Sequence, residues 1–420
     1  MKDYLNEIIQ SISDIVKIDS SQQPAIEGMP FGKGAADCLA YFLSLAEKMG
    51  FATKNYDNYV GEVLFGEGED FAVLCHLDVV PAGDGWTYPP FGGVIDDGKI
   101  YGRGTTDDKG PAIVCLYCLK ALKDKGYLPN RKIHLIVGCN EESGWQCIEH
   151  YNECAKMPDM GFSPDADFPV IYAEKGIFQA DLFFPIKNAP FTNLYGGERA
   201  NMVCAFARAE GVAEKTYPDS VIYENNTLTA HGKAAHGSTP DKGENALEKL
   251  LRVLASQNDS LAKAYDILFA DKLKLKELHD ETGYLTMSPD IARFSDDTLI
   301  VTTDIRVPAT IPLSVVENIL DNSSIKYEKL HIQQPLYNEK TSVLVSTLQE
   351  VYQNITGDQA QAVAIGGGTY ARALKNGAAF GPQFSGEEYN IHGKNEFIPI
   401  KNLQLLFDIY LSAIRKLTQK

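Results

Sequence analysis

Short polar stretches of the chain gather histidines and carboxylates, the side chains that hold divalent metals or move protons. In CHLDVV, His76 and Asp78 stand two apart, so at a strand end they share a face. That spacing suits a metal-binding imidazole steered by a neighbouring carboxylate, and it equally suits a surface strand end. CNEESGW places Glu141 beside Glu142. Neighbours at a strand end face apart, which leaves two readings: a solvated turn, or two carboxylates with different tasks at one site. YGRGTTDDKGP holds Asp107 and Asp108 either as helix caps or as exposed ligands. FSPDADFP sets Asp165 and Asp167 between prolines, as plain turns also do, and YNIHGKNEF puts His392 in a polar loop. His134 reads as a strand residue, and His150, His279 and His331 read as surface positions.

Together the two histidines and the carboxylates match the donor chemistry of a two-metal hydrolytic site. Two divalent cations are nearly neutralised by three carboxylates and a deprotonated water, and a spare carboxylate is then free to serve as general base.

Such residues need rigid elements to hold them. β-type runs at 71–80, 132–138 and 170–184 lead into the polar stretches, and helical patterns fill 33–50 and 110–125. Alternation of this kind predicts an α/β fold with a mixed sheet covered by helices on both faces. Ligand sites then gather at strand ends. From about 180 the pattern changes to a second unit with NTLTAHGK as a strand and ENALEKLLRVLA as a helix. The expected organisation is a catalytic domain formed by 1–179 and 336–420, with 180–335 inserted as an α+β lid domain.

Composition bounds the partners. A formal net charge of −17 opposes binding to nucleic acid or anionic membrane. Residues 5, 8, 9, 12, 15 and 16 give the N-terminus an amphipathic helical stripe rather than an export signal, and no apolar run is long enough to span a bilayer, so a cytoplasmic location is expected. Eight cysteines are no disulfide framework in 420 residues. Cys115 and Cys118 form a C-x-x-C within an apolar helical pattern and read as core.

In order, HLDVVP, GRGTTDDKG, NEESG, PDADFP and IHGKNEF resemble the co-catalytic metallopeptidase family of carboxypeptidase G2, aminoacylase, succinyl-diaminopimelate desuccinylase and carnosinase. PAGDGW, DDKGP and IGGGTYAR look most like its PepV dipeptidase branch. The resemblance implies two divalent ions, zinc first with manganese or cobalt as alternatives. His76 and Asp165 would hold one, Glu142 and His392 the other, and Asp107 would bridge both, with the Asp107–Asp108 peptide after it cis. Asp78 would orient His76, and Glu141 would be the general base. By the same resemblance His236 would stabilise the oxyanion. Asn201, Arg306 and the Gly367, Gly368 and Thr369 backbone would hold substrate, with Arg306 at its C-terminal carboxylate. The implied activity is hydrolysis of dipeptides or short peptides with a free carboxyl end; an N-acyl amino acid deacylase or desuccinylase shares the same core. The inserted segment is shorter than in PepV-type proteins, which leaves both monomer and homodimer open.

Overall fold

The computed structural model describes residues 4–419. The chain divides into two compact units: one runs up to Tyr172 and resumes over Leu336–Val363 and from Gly368 onward, and the other is Ala173–Pro335 with Ala364–Gly367.

The first unit is built on a mixed sheet. Its centre is parallel, in the order Arg131–Gly138, Glu69–His76, Met160–Ser163 and Asn376–Ala379. Val60–Phe65 and Ala52–Tyr56 extend one side antiparallel. FAVLCH (71–76) and IHLIVG (133–138) are buried at every position, because a sheet covered on both faces selects unbroken apolar runs over alternating ones. The helix Lys109–Asp124 packs against Glu69–His76 and Arg131–Gly138 and against the C-terminal helix Ile400–Leu417. Cys115 and Cys118 are fully buried in it, as core side chains. Pro111 sits in its first turn, where a missing N–H costs no helical bond. At Gly110 a Cβ would lie 2.0 Å from the Thr105 carbonyl oxygen, so only glycine lets this turn close under the Asp107–Asp108 loop. The N-terminal helix Leu5–Val16 buries Ile8, Ile12, Ile15 and Val16 of the predicted stripe, while Leu5 and Ile9 are half-buried.

The second unit carries an antiparallel sheet. Its order is Ile222–Glu224, Thr227–His231, Phe206–Glu210, Asn193–Gly196, Thr286–Ser295, Thr298–Val307, Gly176–Pro185 and Lys326–Gln333. Helices Ala246–Ala255 and Asp259–Leu268 close its core with Leu247, Leu250, Leu254, Leu261 and Leu268. Each starts on an asparagine, Asn245 or Asn258, whose side-chain oxygen accepts two backbone N–H groups of the first turn. Among the described residues, no helix is long and apolar enough to cross a membrane.

Candidate metal centre and active site

The parallel strands of the first unit deliver its polar residues at their carboxyl ends. His76 is the last residue of Glu69–His76, Glu141 and Glu142 lie just past Gly138, and Asp165 lies just past Ser163. Asp107 precedes the helix Lys109–Asp124, and His392 lies in the loop leading to Phe397–Pro399.

These side chains converge in a fixed pattern. His76 Nε2 lies 2.9 Å from Asp107 Oδ1 and 3.8 Å from Asp165 Oδ1. His392 Nε2 lies 2.9 Å from Asp107 Oδ2 and 3.0 Å from Glu142 Oε1. The two imidazoles therefore address opposite oxygens of one carboxylate, and each has one further acid. The Asp107–Asp108 peptide is cis. His76 Nδ1 lies 3.0 Å from the Asp78 carbonyl oxygen, which can only accept, so Nδ1 carries a proton and Nε2 is the nitrogen that faces the acids.

The acidic pair is separated by a turn, not by strand alternation. The strand stops at Gly138, and residues 141–144 form the turn. Asp78 clamps it: the carboxylate accepts the N–H of Glu141 at 2.9 Å and of Glu142 at 3.1 Å. Trp145 Nε1 donates to Glu141 Oε1 at 3.3 Å while Glu142 faces His392. Asp78 thus meets His76 chiefly through its backbone, with its carboxylate 3.6 Å from Nδ1. Glu396, absent from the sequence-derived set, does the same for the other loop. Fully buried, it pairs with Arg103 Nη1 at 2.6 Å and accepts the N–H groups of Gly104, Thr106 and Asp107.

The electrostatics of the cluster suit a cation. Hydrogen bonds that the imidazole donates to the carboxylates of Asp107 and Glu142 push His392 up to about 10. Burial opposes protonation of His76, yet Asp107, Asp165 and Asp78 raise it well above the usual imidazole range. Burial, then the charge of Asp107, lifts Asp165 to about 7. Burial, then Asp165, raises Glu141 well above the carboxylate range. Four clustered acids facing two imidazoles are costly unless positive charge joins them. Donor atoms of His76, Asp107 and Glu142, and of His76, Glu141 and Asp165, lie within 4.8 Å of one another. Ligands around a four-coordinate ion sit about 3.3 Å apart, so the set fits divalent cations.

Proton competition follows from this pattern. Without metal the imidazoles hold protons at neutral pH, and an arriving cation must displace them. Metal affinity is therefore expected to rise from pH 6 to pH 9. Calorimetric titration near pH 7 should show buffer-dependent heats from proton release; heats independent of the buffer would contradict it.

In the second unit, Ser238 donates its N–H to His236 Nδ1 at 3.1 Å, which makes Nδ1 an acceptor and leaves the proton on Nε2. Burial, then Arg306, lowers the pKa of His236, so the ring is a neutral donor at pH 7. Arg306 is buried. It binds the Asp304 carboxylate through Nε at 3.0 Å and Nη2 at 2.8 Å, and the Gly366 carbonyl through Nη1 at 3.0 Å. Asn201 is exposed and its carbonyl accepts Gly237 N–H at 2.7 Å. The glycine run divides between the units, Gly367 in the second and Gly368 and Thr369 in the first. Thr369 Oγ1 caps the short helical turn Tyr370–Ala373.

The sequence profile of Peptidase family M20/M25/M40 matches residues 72–416. "Putative dipeptidase YtjP" of Bacillus subtilis is 36% identical over 98% of this chain and 97% of its own length. "Putative dipeptidase SAR1836" of Staphylococcus aureus is 35% identical over 99% and 98%. Human carnosine dipeptidase 1 shares the fold at TM-score 0.61 with 14% identity, covering 99% of this chain and 97% of that one. The di-peptidase Dug1p of Saccharomyces cerevisiae does so at TM-score 0.61 with 15% identity, covering 99% and 96%.

Proposed function

The chain belongs to peptidase family M20/M25/M40, and on that premise we propose that it is a metal-dependent dipeptidase acting on dipeptides or short peptides with a free C-terminal carboxylate. The observation that carries this reading is Asp107, whose two oxygens each meet a different histidine at 2.9 Å. Two ion pockets sharing one carboxylate are what that pattern supports: His76, Asp165 and Asp107 for one, His392, Glu142 and Asp107 for the other. When bound, the two ions would supply Lewis acidity toward a water and toward the peptide carbonyl. Zinc is the first choice for imidazole and carboxylate donors, with manganese or cobalt accepted by the same set.

The chain's own groups would do the rest. Glu141, steadied by Trp145 and by the Asp78 clamp on its N–H, takes the proton from the attacking water and passes it to the departing amine. Positive charge beside it would bring its carboxyl back down from the range that burial imposes, making it ionised and ready to accept. His236 Nε2–H, neutral and fixed in tautomer by Ser238, is suited to donate to the oxygen of the attacked carbonyl. Asn201 and the backbone N–H groups of Gly367, Gly368 and Thr369 are proposed as substrate contacts. Arg306 has five N–H donors, more than Asp304 and Gly366 use, so terminal N–H groups are left for a substrate carboxylate. We propose residues 180–335 as an inserted lid domain, the location as cytoplasmic, and the assembly as a monomer or homodimer.

Unblocked dipeptides offered beside N-acetylated and N-succinylated amino acids test the substrate class. Turnover of the free dipeptides is expected to dominate; hydrolysis of the blocked compounds alone would make the chain a deacylase.

A further inference from the structure

A second cluster of metal-binding side chains lies in the first unit among residues the peptidase reading does not use. His150 and Cys154 stand four apart on the helix Gln146–Cys154, hence on one face of it. Asp57 comes from the tight turn between the strands Ala52–Tyr56 and Val60–Phe65. His150 Nε2 lies 3.6 Å from Cys154 Sγ and 3.0 Å from Asp57 Oδ2, and all three donor atoms fall within 4.8 Å of one another. Around a tetrahedral zinc ion, bonds of about 2.3 Å to sulfur and about 2.0–2.1 Å to nitrogen put those two atoms about 3.6 Å apart. The sulfur–nitrogen edge is already at that length.

The cluster is built rather than accidental. The His150 ring stacks on Tyr59 with centroids 4.2 Å apart, and Tyr59 packs edge-on against Phe31 at 5.1 Å. Asp57 and Asn58 both adopt positive φ, and Asn58 ties the turn down by donating to the Gly28 carbonyl at 2.8 Å. Beneath it, Tyr56 and Tyr151 both donate to the buried Glu62 at 2.8 Å, joining the same hairpin to the same helix. Cys154 is the one exposed cysteine of the eight, all of which are described, so its thiol is open to metal while the others are enclosed.

We propose that Asp57, His150 and Cys154 form a third metal site, separate from the catalytic pair, that takes a soft or borderline divalent cation of the zinc, cobalt or cadmium type. One thiolate, one carboxylate and one neutral imidazole balance a divalent charge, and the exposed side leaves a fourth position for water or a small ligand. The ion clips the hairpin turn to the C-terminal end of the helix that follows the Glu141–Glu142 turn.

The test rests on sulfur. The proposed catalytic ligands are imidazole and carboxylate only, so a thiolate-to-metal charge-transfer band reports this cluster and not the active centre. The full chain, stripped of metal and then given two equivalents of zinc to fill the catalytic pair, is titrated with Co(II), and near-ultraviolet absorption and turnover are followed. We expect a thiolate–cobalt band saturating at one equivalent per chain. It should vanish in Cys154→Ser without loss of dipeptide turnover, and weaken about 10-fold or more in affinity in His150→Gln and in Asp57→Asn. The proposal is overturned if no band forms at excess Co(II), if it survives Cys154→Ser, or if both other variants keep wild-type affinity, which marks a lone thiol. Because the readout is the band, this result stands or falls apart from the peptidase assignment.

Discussion

Glu141→Gln is expected to lower kcat by about 10²–10⁴-fold, the usual weight of a positioned general base, with metal content and fold unchanged. The amide is close to isosteric and can still accept from Trp145 Nε1, which reaches Glu141 Oε1 at 3.3 Å. The Asp78 clamp acts on the backbone N–H of residue 141, so it survives the substitution. What disappears is the capacity to take a proton. The geometry sharpens the test, because Glu141 also lies within ligand distance of His76 and Asp165. A base predicts full metal content in the inactive variant. Loss of an ion together with activity would make Glu141 a ligand instead, and retained turnover would remove it from the chemistry.

Asp107→Asn should have the broadest effect on the centre. Burial would raise the Asp107 carboxyl, but hydrogen bonds from His392 and His76 hold it far below the carboxylate range. An amide offers one neutral acceptor oxygen where the carboxylate presents two charged ones, so both half-sites lose their shared ligand. Metal affinity is expected to fall at least about 100-fold, the upper end of what a lost supporting contact costs, with both ions lost together. A metal analysis that finds one ion fully retained would show that the two pockets do not share this residue. In the metal-free protein the same variant should bring His392 down from about 10, read by NMR titration of the imidazole.

The donor residues were legible because each sits where a β-type run or a helix ends, and polar residues at the ends of apolar runs stand out. His76, Asp107, Glu142, Asp165 and His392 were among the candidates found that way, the choice among the carboxylates came from the resemblance of the motifs to a metallopeptidase family, and the structure brings the five together at distances of 2.9–3.8 Å. The means of holding them was not legible. The acidic pair suggested a strand end, yet the strand stops at Gly138 and a turn carries both acids. Its geometry comes from Asp78, 63 residues away in the chain from Glu141. Glu396 escaped notice for the same reason: it accepts backbone N–H groups from residues 104, 106 and 107, and main-chain donors leave no mark in a sequence. His150 read as a surface residue until the fold put the Asp57 turn beside it. Tertiary hydrogen bonds between remote segments are what pattern reading cannot supply.

The most direct test of the central claim is a metal titration of the metal-depleted full chain, assayed with an unblocked dipeptide and with its N-acetylated counterpart. The account predicts no turnover without metal, activity that levels off at two divalent ions in the centre of each chain, and clear preference for the free dipeptide. Full activity in the stripped protein, or hydrolysis of the acetylated compound alone, would contradict it.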